Sequence, residues 1–370
     1  MSGVTGKPIL GCNLSCHGCY EGAIFERGEP EPYDLDAFIE GIRNGPSGTF
    51  TLHGGEPLLM PLDDVRRVFE ACRAMGRSIA IQSNFTIVTA RTLDLLEEFN
   101  VCVGVSLNGP DELNQDRAPV EVTRRVHQNI RAARERGLDV GIITVLSTTN
   151  AGHPRDRARL IEWAAELGHD GVWDIRFNPL FNGGARELTP DQLVEVYHDL
   201  AEATMADPRR SWRPIREWVN NLLGFGVAPC WMNPCDPYHT DAVYSVFGHG
   251  EVGNCLRTAQ DGIAYLRHPQ AEYVRQDILY QIPFEHGGCG GCRYWNLCHG
   301  GCPAEGVDGD WRNRSRWCQA IQATYRFLEQ RLKGMLPHAK LVPDMTDEEG
   351  LAALDDMLNR RRPFVLEREA

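Results

Sequence analysis

The chain has no apolar run near the ~18 residues that a membrane-crossing helix needs. Its N-terminus, residues 1–16, carries no apolar stretch that would serve as a secretory signal. It is also short of positive charge. Lys and Arg total 38 against 51 Asp and Glu, a net charge of −13. A duplex-binding face needs clustered Lys and Arg, so no nucleic-acid partner is expected. There is no internal repeat and no low-complexity tract. With 42% hydrophobic and 24% charged residues, wholesale disorder is excluded as well. These absences together lead us to expect a cytoplasmic protein with reduced thiols and no membrane partner.

What the chain does have is cysteine. There are 13, three within 12–19 and eight within 230–318. An odd number in a 370-residue chain does not read as a disulfide framework. Clustered reduced thiols point to metal.

The first two-thirds alternate short β-rich runs with longer helical patterns. The strands expected are 8–11, 49–53, 78–83, 101–107, 139–146 and 172–178. The helices expected are 35–43, 62–75, 90–99, 120–136, 156–167 and 190–205. Thr89 and Thr189-Pro190 are helix-start signals. Six such units imply parallel strands with right-handed crossovers. They are fewer than the eight of a closed barrel. The fold class expected is therefore α/β, a partial (β/α)6 TIM-like barrel over 1–224, with reactive groups at the strands' C-terminal ends. From about residue 225 to 335 Gly, Pro, Cys and aromatics become dense. That stretch reads as a loop-rich module with a helix near 316–332. Residues 336–370 read as a tail with a short helix near 347–358.

Cys12, Cys16 and Cys19 follow the first expected strand as Cys-x3-Cys-x2-Cys. Three thiolates so spaced can hold three irons of a 4Fe–4S cube and leave the fourth without a protein ligand. A zinc site is the alternative, but it wants four ligands, and His17 has poor reach for that role. The second expected strand ends in His53-Gly54-Gly55-Glu56-Pro57, where two glycines permit close approach and a carboxylate follows.

Together these two stretches resemble the radical S-adenosylmethionine (radical SAM) superfamily. The resemblance covers roughly residues 7–225. It implies that Cys12, Cys16 and Cys19 bind the cluster, and that its open iron takes the amino and carboxylate groups of S-adenosylmethionine. It further implies that Gly54, Gly55 and Glu56 contact the methionine end, and that Tyr20 lies near the adenine. Ser83 and Asn84, closing the third strand, match the family's position near the ribose. The stretch Ser106-Leu107-Asn108-Gly109-Pro110, with Arg117 beyond it, is similar to that of peptide-modifying members. Ser106 and Arg117 are thus candidate cofactor contacts. Asn108 replaces the family's Asp.

The later cysteines are Cys230, Cys235, Cys255, Cys289, Cys292, Cys298, Cys302 and Cys318. Their spacing, and the string Cys292-Arg-Tyr-Trp-Asn-Leu-Cys298-His-Gly-Gly-Cys302-Pro303, resemble the SPASM extension of radical SAM enzymes. That resemblance implies two auxiliary 4Fe–4S clusters, one on Cys230, Cys235, Cys255 and Cys302, the other on Cys289, Cys292, Cys298 and Cys318. Two zinc-ribbon-like sites are the alternative for these spacings alone. Cys72 and Cys102 remain and read as small buried residues. Cys102 shares the parity of Ser106, so a hydrogen-donating role at the site stays open.

The resemblance implies an oxidoreductase working through a 5′-deoxyadenosyl radical, fed by a reductant such as flavodoxin or ferredoxin. The leading expectation is oxidation or crosslinking of a ribosomal peptide, that is, a peptide maturase. Only 11 residues precede Cys12, so a separate leader-recognition protein, or none, is expected. Sulfatase maturation is disfavoured, because Leu256 and Arg257 follow Cys255 where such members carry a basic Asp. The second reading is oxidation or epimerisation of a sugar or aminocyclitol, and the third a non-catalytic metal scaffold. Asp174, Arg176 and Asn178 share one strand face and are candidates for the substrate side. His53, His239 and His268 are candidate acid–base groups.

Overall fold

In a computed structural model the described residues are 3–19, 32–181, 183–225, 244–253, 255, 257 and 275–344. Seven strands alternate with seven helices. They are β1 Gly3–Lys7, α1 Leu35–Arg43, β2 Thr49–Leu52, α2 Leu62–Ala74, β3 Ile79–Ser83, α3 Ala90–Glu98, β4 Cys102–Ser106, α4 Val120–Glu135, β5 Val140–Leu146, α5 Pro154–Leu167, β6 Asp174–Pro179, α6 Pro190–Ala206, β7 Ser211–Arg213 and α7 Ile215–Leu222. After them come β8 Tyr244–Phe247, β9 Val252–Gly253, α8 Arg275–Gln281, α9 Trp295–Cys298 and α10 Cys318–Met335.

The strands form one sheet in the order β7-β6-β5-β4-β3-β2-β1-β8-β9. All pairings from β7 through to β8 are parallel, and only β9 is antiparallel to its neighbour. The order has two ends, β7 and β9, so the sheet is an open barrel wall. This is the partial barrel read from the sequence, with three further strands. Two of them, β7 and β9, were missed because they span three and two residues, too few to display a period. β8 pairs with β1, so the sheet draws on chain beyond residue 224.

The first strand is corrected. It runs Gly3–Lys7, and residues 8–11 are irregular. Pro8 has no N–H to give to a ladder, so it stops the strand instead of starting it. The helices keep their expected positions because their start signals operate. Thr89 forms a capping box with Thr92, and Thr189 forms one with Gln192 ahead of Pro190. Asp34 caps α1 by accepting from Asp36 N and Ala37 N.

Strand faces alternate as the parity rule demands. In β5 every second residue is buried against helices. Phe38 of α1 meets Phe50 of β2 edge to face at 6.4 Å, and both are fully buried. Each such ring stabilises the fold by about 1.5–3 kcal/mol. α10 packs against α6 and α7 and ties the C-terminal part to the barrel. No helix among the described residues is long and apolar enough to cross a membrane. The helix expected at 347–358 lies outside the described residues.

Candidate functional site

Lys7 ends β1, and the loop that follows carries Cys12, Cys16 and Cys19. Three strand ends hold this loop. Gly55 N donates to Ile9 O at 3.1 Å and Glu56 N to Gly11 O at 2.9 Å. These bonds require the two backbones to touch. A Cβ on Gly55 would stand 2.1 Å from Gly11 O and 2.3 Å from Leu10 O. Gly54 adopts φ +138°, which only glycine takes without strain. The glycine pair therefore exists first to seat the cysteine loop.

Glu56 turns inward and is fully buried. It accepts from Ser83 Oγ at 2.7 Å, Asn84 N at 2.6 Å and Leu58 N at 3.0 Å. Burial pushes its pKa up, while these donors and Arg117 nearby oppose the shift. Ser83 is thus engaged with protein. So is Asn84, whose Nδ2 donates to Asn13 Oδ1 at 2.8 Å and reaches Cys12 Sγ at 3.8 Å. Asn13 in turn donates to Thr86 Oγ1 at 2.8 Å.

The loop after β4 braces the other side. The Cys16 thiol points to Arg117 O at 3.8 Å, and His17 N donates to Asp116 O at 2.7 Å. Asp116 is buried, accepts from Ser147 Oγ at 2.8 Å and pairs with Arg186. Sequence reasoning missed Asn13 and Asp116. Neither belongs to a motif, and both act only because distant chain meets here. Ser106 closes β4 and accepts from Gln82 Nε2 at 2.8 Å. Cys12 is half-buried, Cys16 buried and Cys19 exposed. Burial first, then the neighbouring Glu56, Cys16 and Cys19, push the Cys12 thiol up, so the three sulfurs share one electrostatic neighbourhood. His17 Nε2 is engaged with Gly183 O at 3.2 Å. Tyr20 lies outside the described residues.

Other candidates separate from this centre. Cys102 opens β4 at the strand's far end, four residues or roughly 13 Å from Ser106. The shared parity holds, but the position removes it from the mouth. Cys72 is buried, and burial pushes its thiol up to about 12. Asn108 is a strut, its Oδ1 accepting from Val145 N at 3.0 Å. Asp174 pairs with Arg213, and Arg176 with Glu217 at 3.1 Å, so these two make structural ion pairs. His53 accepts from Gly54 N through Nδ1 at 2.8 Å. His239 and His268 lie outside the described residues.

A second constellation forms in the C-terminal part. Cys289, Cys292, Cys298 and Cys318 line one recess, with Phe284, Trp295, Gly300, Ser315 and Ile321. Two loops, α9 and the first turn of α10 converge to make it. Burial first, then the neighbouring thiols, push Cys289 up to about 12 and Cys298 further up. Four mutually opposed thiols in an apolar recess are an arrangement that a cationic group would relieve. Yet no three His, Cys, Asp or Glu among the described residues converge on a single-ion site. Thiolates on one tetrahedral zinc stand roughly 3.8 Å apart, given a Zn–S bond of about 2.3 Å. Four thiols are the donor number that a cuboidal 4Fe–4S cluster also takes. Of the other expected set, Cys255 is half-buried and Cys302 buried, while Cys230 and Cys235 lie outside the described residues.

Residues 7–164, which contain the cysteine loop and all three strand ends that hold it, match the family model of the radical SAM superfamily. This stretch of the chain is a radical SAM domain. Membership implies S-adenosylmethionine and a 4Fe–4S cluster, and the thiol set of the loop after β1 fits the latter. The chain is 32% identical over 168 residues to a serine-type anaerobic sulfatase-maturating enzyme of Bacteroides thetaiotaomicron. That alignment covers 40% of this chain and 41% of the relative, so it spans about two-fifths of that protein's length. In fold, the chain resembles native anSMEcpe with bound AdoMet and Cp18Cys peptide. The TM-score is 0.69 at 19% identity, covering 90% of this chain and 98% of that one. It also resembles Streptococcus suis SuiB bound to the precursor peptide SuiA. There the TM-score is 0.55 at 15% identity, covering 86% and 76%.

Proposed function

We propose that this enzyme oxidatively modifies a peptide, with Cys12, Cys16 and Cys19 holding the radical-generating cluster and two auxiliary 4Fe–4S clusters held by the eight later cysteines. S-adenosylmethionine bound beside the first cluster supplies a 5′-deoxyadenosyl radical that removes a hydrogen atom from the substrate. The observation that carries the reading is the meeting of three strand ends on the loop of Cys12, Cys16 and Cys19. The meeting of Cys289, Cys292, Cys298 and Cys318 in one recess supports the auxiliary centre. Two solved structures similar in fold hold peptides, which favours a peptide substrate over a sugar or aminocyclitol.

The chain's own residues have clear tasks in this reading. Gly54 and Gly55 seat the loop, Glu56 locks it to β3, and Asn84 steadies Cys12. Arg117, whose charge reaches Glu56, would pair with an anionic cofactor group in this reading. Tyr20, Ser83 and Ser106 complete the proposed cofactor set, Ser83 acting through Glu56. Flavodoxin or ferredoxin would supply the electron, and a separate recognition protein could present a leader.

The test is anaerobic reconstitution with iron and sulfide, then incubation with S-adenosylmethionine, a strong reductant and the products of neighbouring short peptide genes. 5′-Deoxyadenosine together with a mass loss on one peptide supports the reading. Nucleoside formation with every peptide mass unchanged favours a small-molecule substrate. Cys16→Ala should form no 5′-deoxyadenosine, and retained cleavage in that variant would refute the assigned triad.

A further inference from the structure

The arginines around the four-thiol recess are not equivalent. Arg293 pairs with Glu329 and Asp344, Arg312 with Asp310, and Arg316 with Glu187. Arg314 differs. No carboxylate among the described residues pairs with it. Its Nη1 donates to Phe284 O at 3.0 Å and Gly288 O at 2.9 Å, and its guanidinium lies 4.3 Å over the Phe284 ring. Phe284 lines the recess, Gly288 precedes Cys289, and Ser315, the next residue along, lines the recess as well. Carbonyl partners are neutral, so the full positive charge is left to act on its surroundings. That charge stands against the wall of the recess, bonded to the carbonyls of Phe284, which lines it, and of Gly288, which precedes Cys289.

A second device acts on two of the sulfurs directly. Gln322 stands one turn beyond Cys318 on α10. Its Nε2 donates to both Cys292 Sγ at 3.4 Å and Cys318 Sγ at 3.7 Å. A donor aimed at two sulfurs stabilises charge on them. The reduction potential of an iron–sulfur cluster depends on net charge nearby and on hydrogen bonds to its sulfurs. Both devices act in one sense, because an added electron makes a thiolate-bound cluster more negative.

We propose that Arg314 and Gln322 are positioning residues that raise the reduction potential of the cluster held by Cys289, Cys292, Cys298 and Cys318, and so poise that centre to accept electrons. This rests on the reading above that the four thiols hold a 4Fe–4S cluster. A cation with no carboxylate partner among the described residues suits an oxidising role in that chemistry, where a carboxylate-paired one would be largely cancelled.

The test is potentiometric EPR on the full reconstituted chain, following the signal that Cys318→Ala abolishes, with iron counted for each protein. Arg314→Gln should keep its iron and lower the ratio of reduced to oxidised centre at a fixed potential about tenfold, which is 59 mV for one electron. Arg314→Lys, which keeps the charge and loses the fork, should stay within about threefold of the parent. Gln322→Leu should lower the ratio at least about threefold. Full iron with an unmoved ratio in Arg314→Gln overturns the proposal. So does an equal fall in Arg314→Lys, which would make Arg314 a loop brace only. If Arg314→Gln takes up no iron at this centre, the Lys variant decides by the same limits. A parent chain from which Cys318→Ala removes no iron overturns the cluster reading, and this inference with it. Full iron with an unmoved ratio overturns this inference alone.

Discussion

Asn84 Nδ2 stands 3.8 Å from Cys12 Sγ, where the end of β3 meets the loop after β1. The same nitrogen donates to Asn13 Oδ1, so the Cys12 loop is held through the neighbour of its ligand as well as through the sulfur. Residues 71 and 72 positions apart thereby set one thiol's place.

Asn84→Leu keeps the volume and removes the amide. A hydrogen bond to a charged group contributes about 1.5–3 kcal/mol. The variant should fold, and should lose the N-terminal cluster's iron to a chelator roughly ten times faster than the parent. Equal loss rates would mean that Asn84 does not steady Cys12.

Gly55→Ala drives a methyl group into Gly11 O and Leu10 O. Both contacts are backbone, so no rotamer can relieve them. Overpacking of this kind costs about 1–3 kcal/mol. We expect it to be relieved by displacing the cysteine loop, with about four irons lost per chain and little change in far-UV circular dichroism. Undiminished iron in the variant would show that the loop tolerates the shift.

Three clusters of four predict about twelve irons per reconstituted chain. Cys298→Ala should bring the figure to about eight, since Cys298 lines the recess and is buried. A parent value near four, measured by metal analysis, would leave only the N-terminal cluster.

Glu329 gives a pH-dependent prediction. It accepts from Arg293 at 2.6 Å, Lys333 at 2.9 Å and Tyr294 at 3.0 Å. Burial alone would raise its pKa, but these donors outweigh burial and hold it below the usual carboxylate value. A carboxyl depressed on folding stabilises above its unfolded pKa of about 4.3 and loses that contribution as pH falls through the folded value. Arg293 and Lys333 are nearly half-exposed, which discounts the effect. Glu329→Gln should therefore cost about 1–2 kcal/mol at pH 7, and the gap between the two proteins should narrow as pH falls below about 4 in urea titrations. A gap that persists at low pH would assign the effect to packing.

The chain by itself determined the alternation of strands and helices, the helix caps at Thr89 and Thr189, and the grouping of the cysteines. Periodicity, caps and spacing are local quantities, written within a dozen residues. Tertiary structure decided the rest. It moved β1 back to Gly3–Lys7, because Pro8 ends the ladder that β2 and β8 complete. It placed Cys102 at the wrong end of β4 despite its favourable parity. It turned Glu56, Ser83 and Asn84 inward to hold Cys12, and it recruited Asn13 and Asp116, which no motif marks. It also left Arg314 without a carboxylate among the described residues while pairing the arginines at 293, 312 and 316. The reason is physical. Which charge meets which, and which backbone touches which, depends on contacts between residues far apart in the chain, and only folding brings those together.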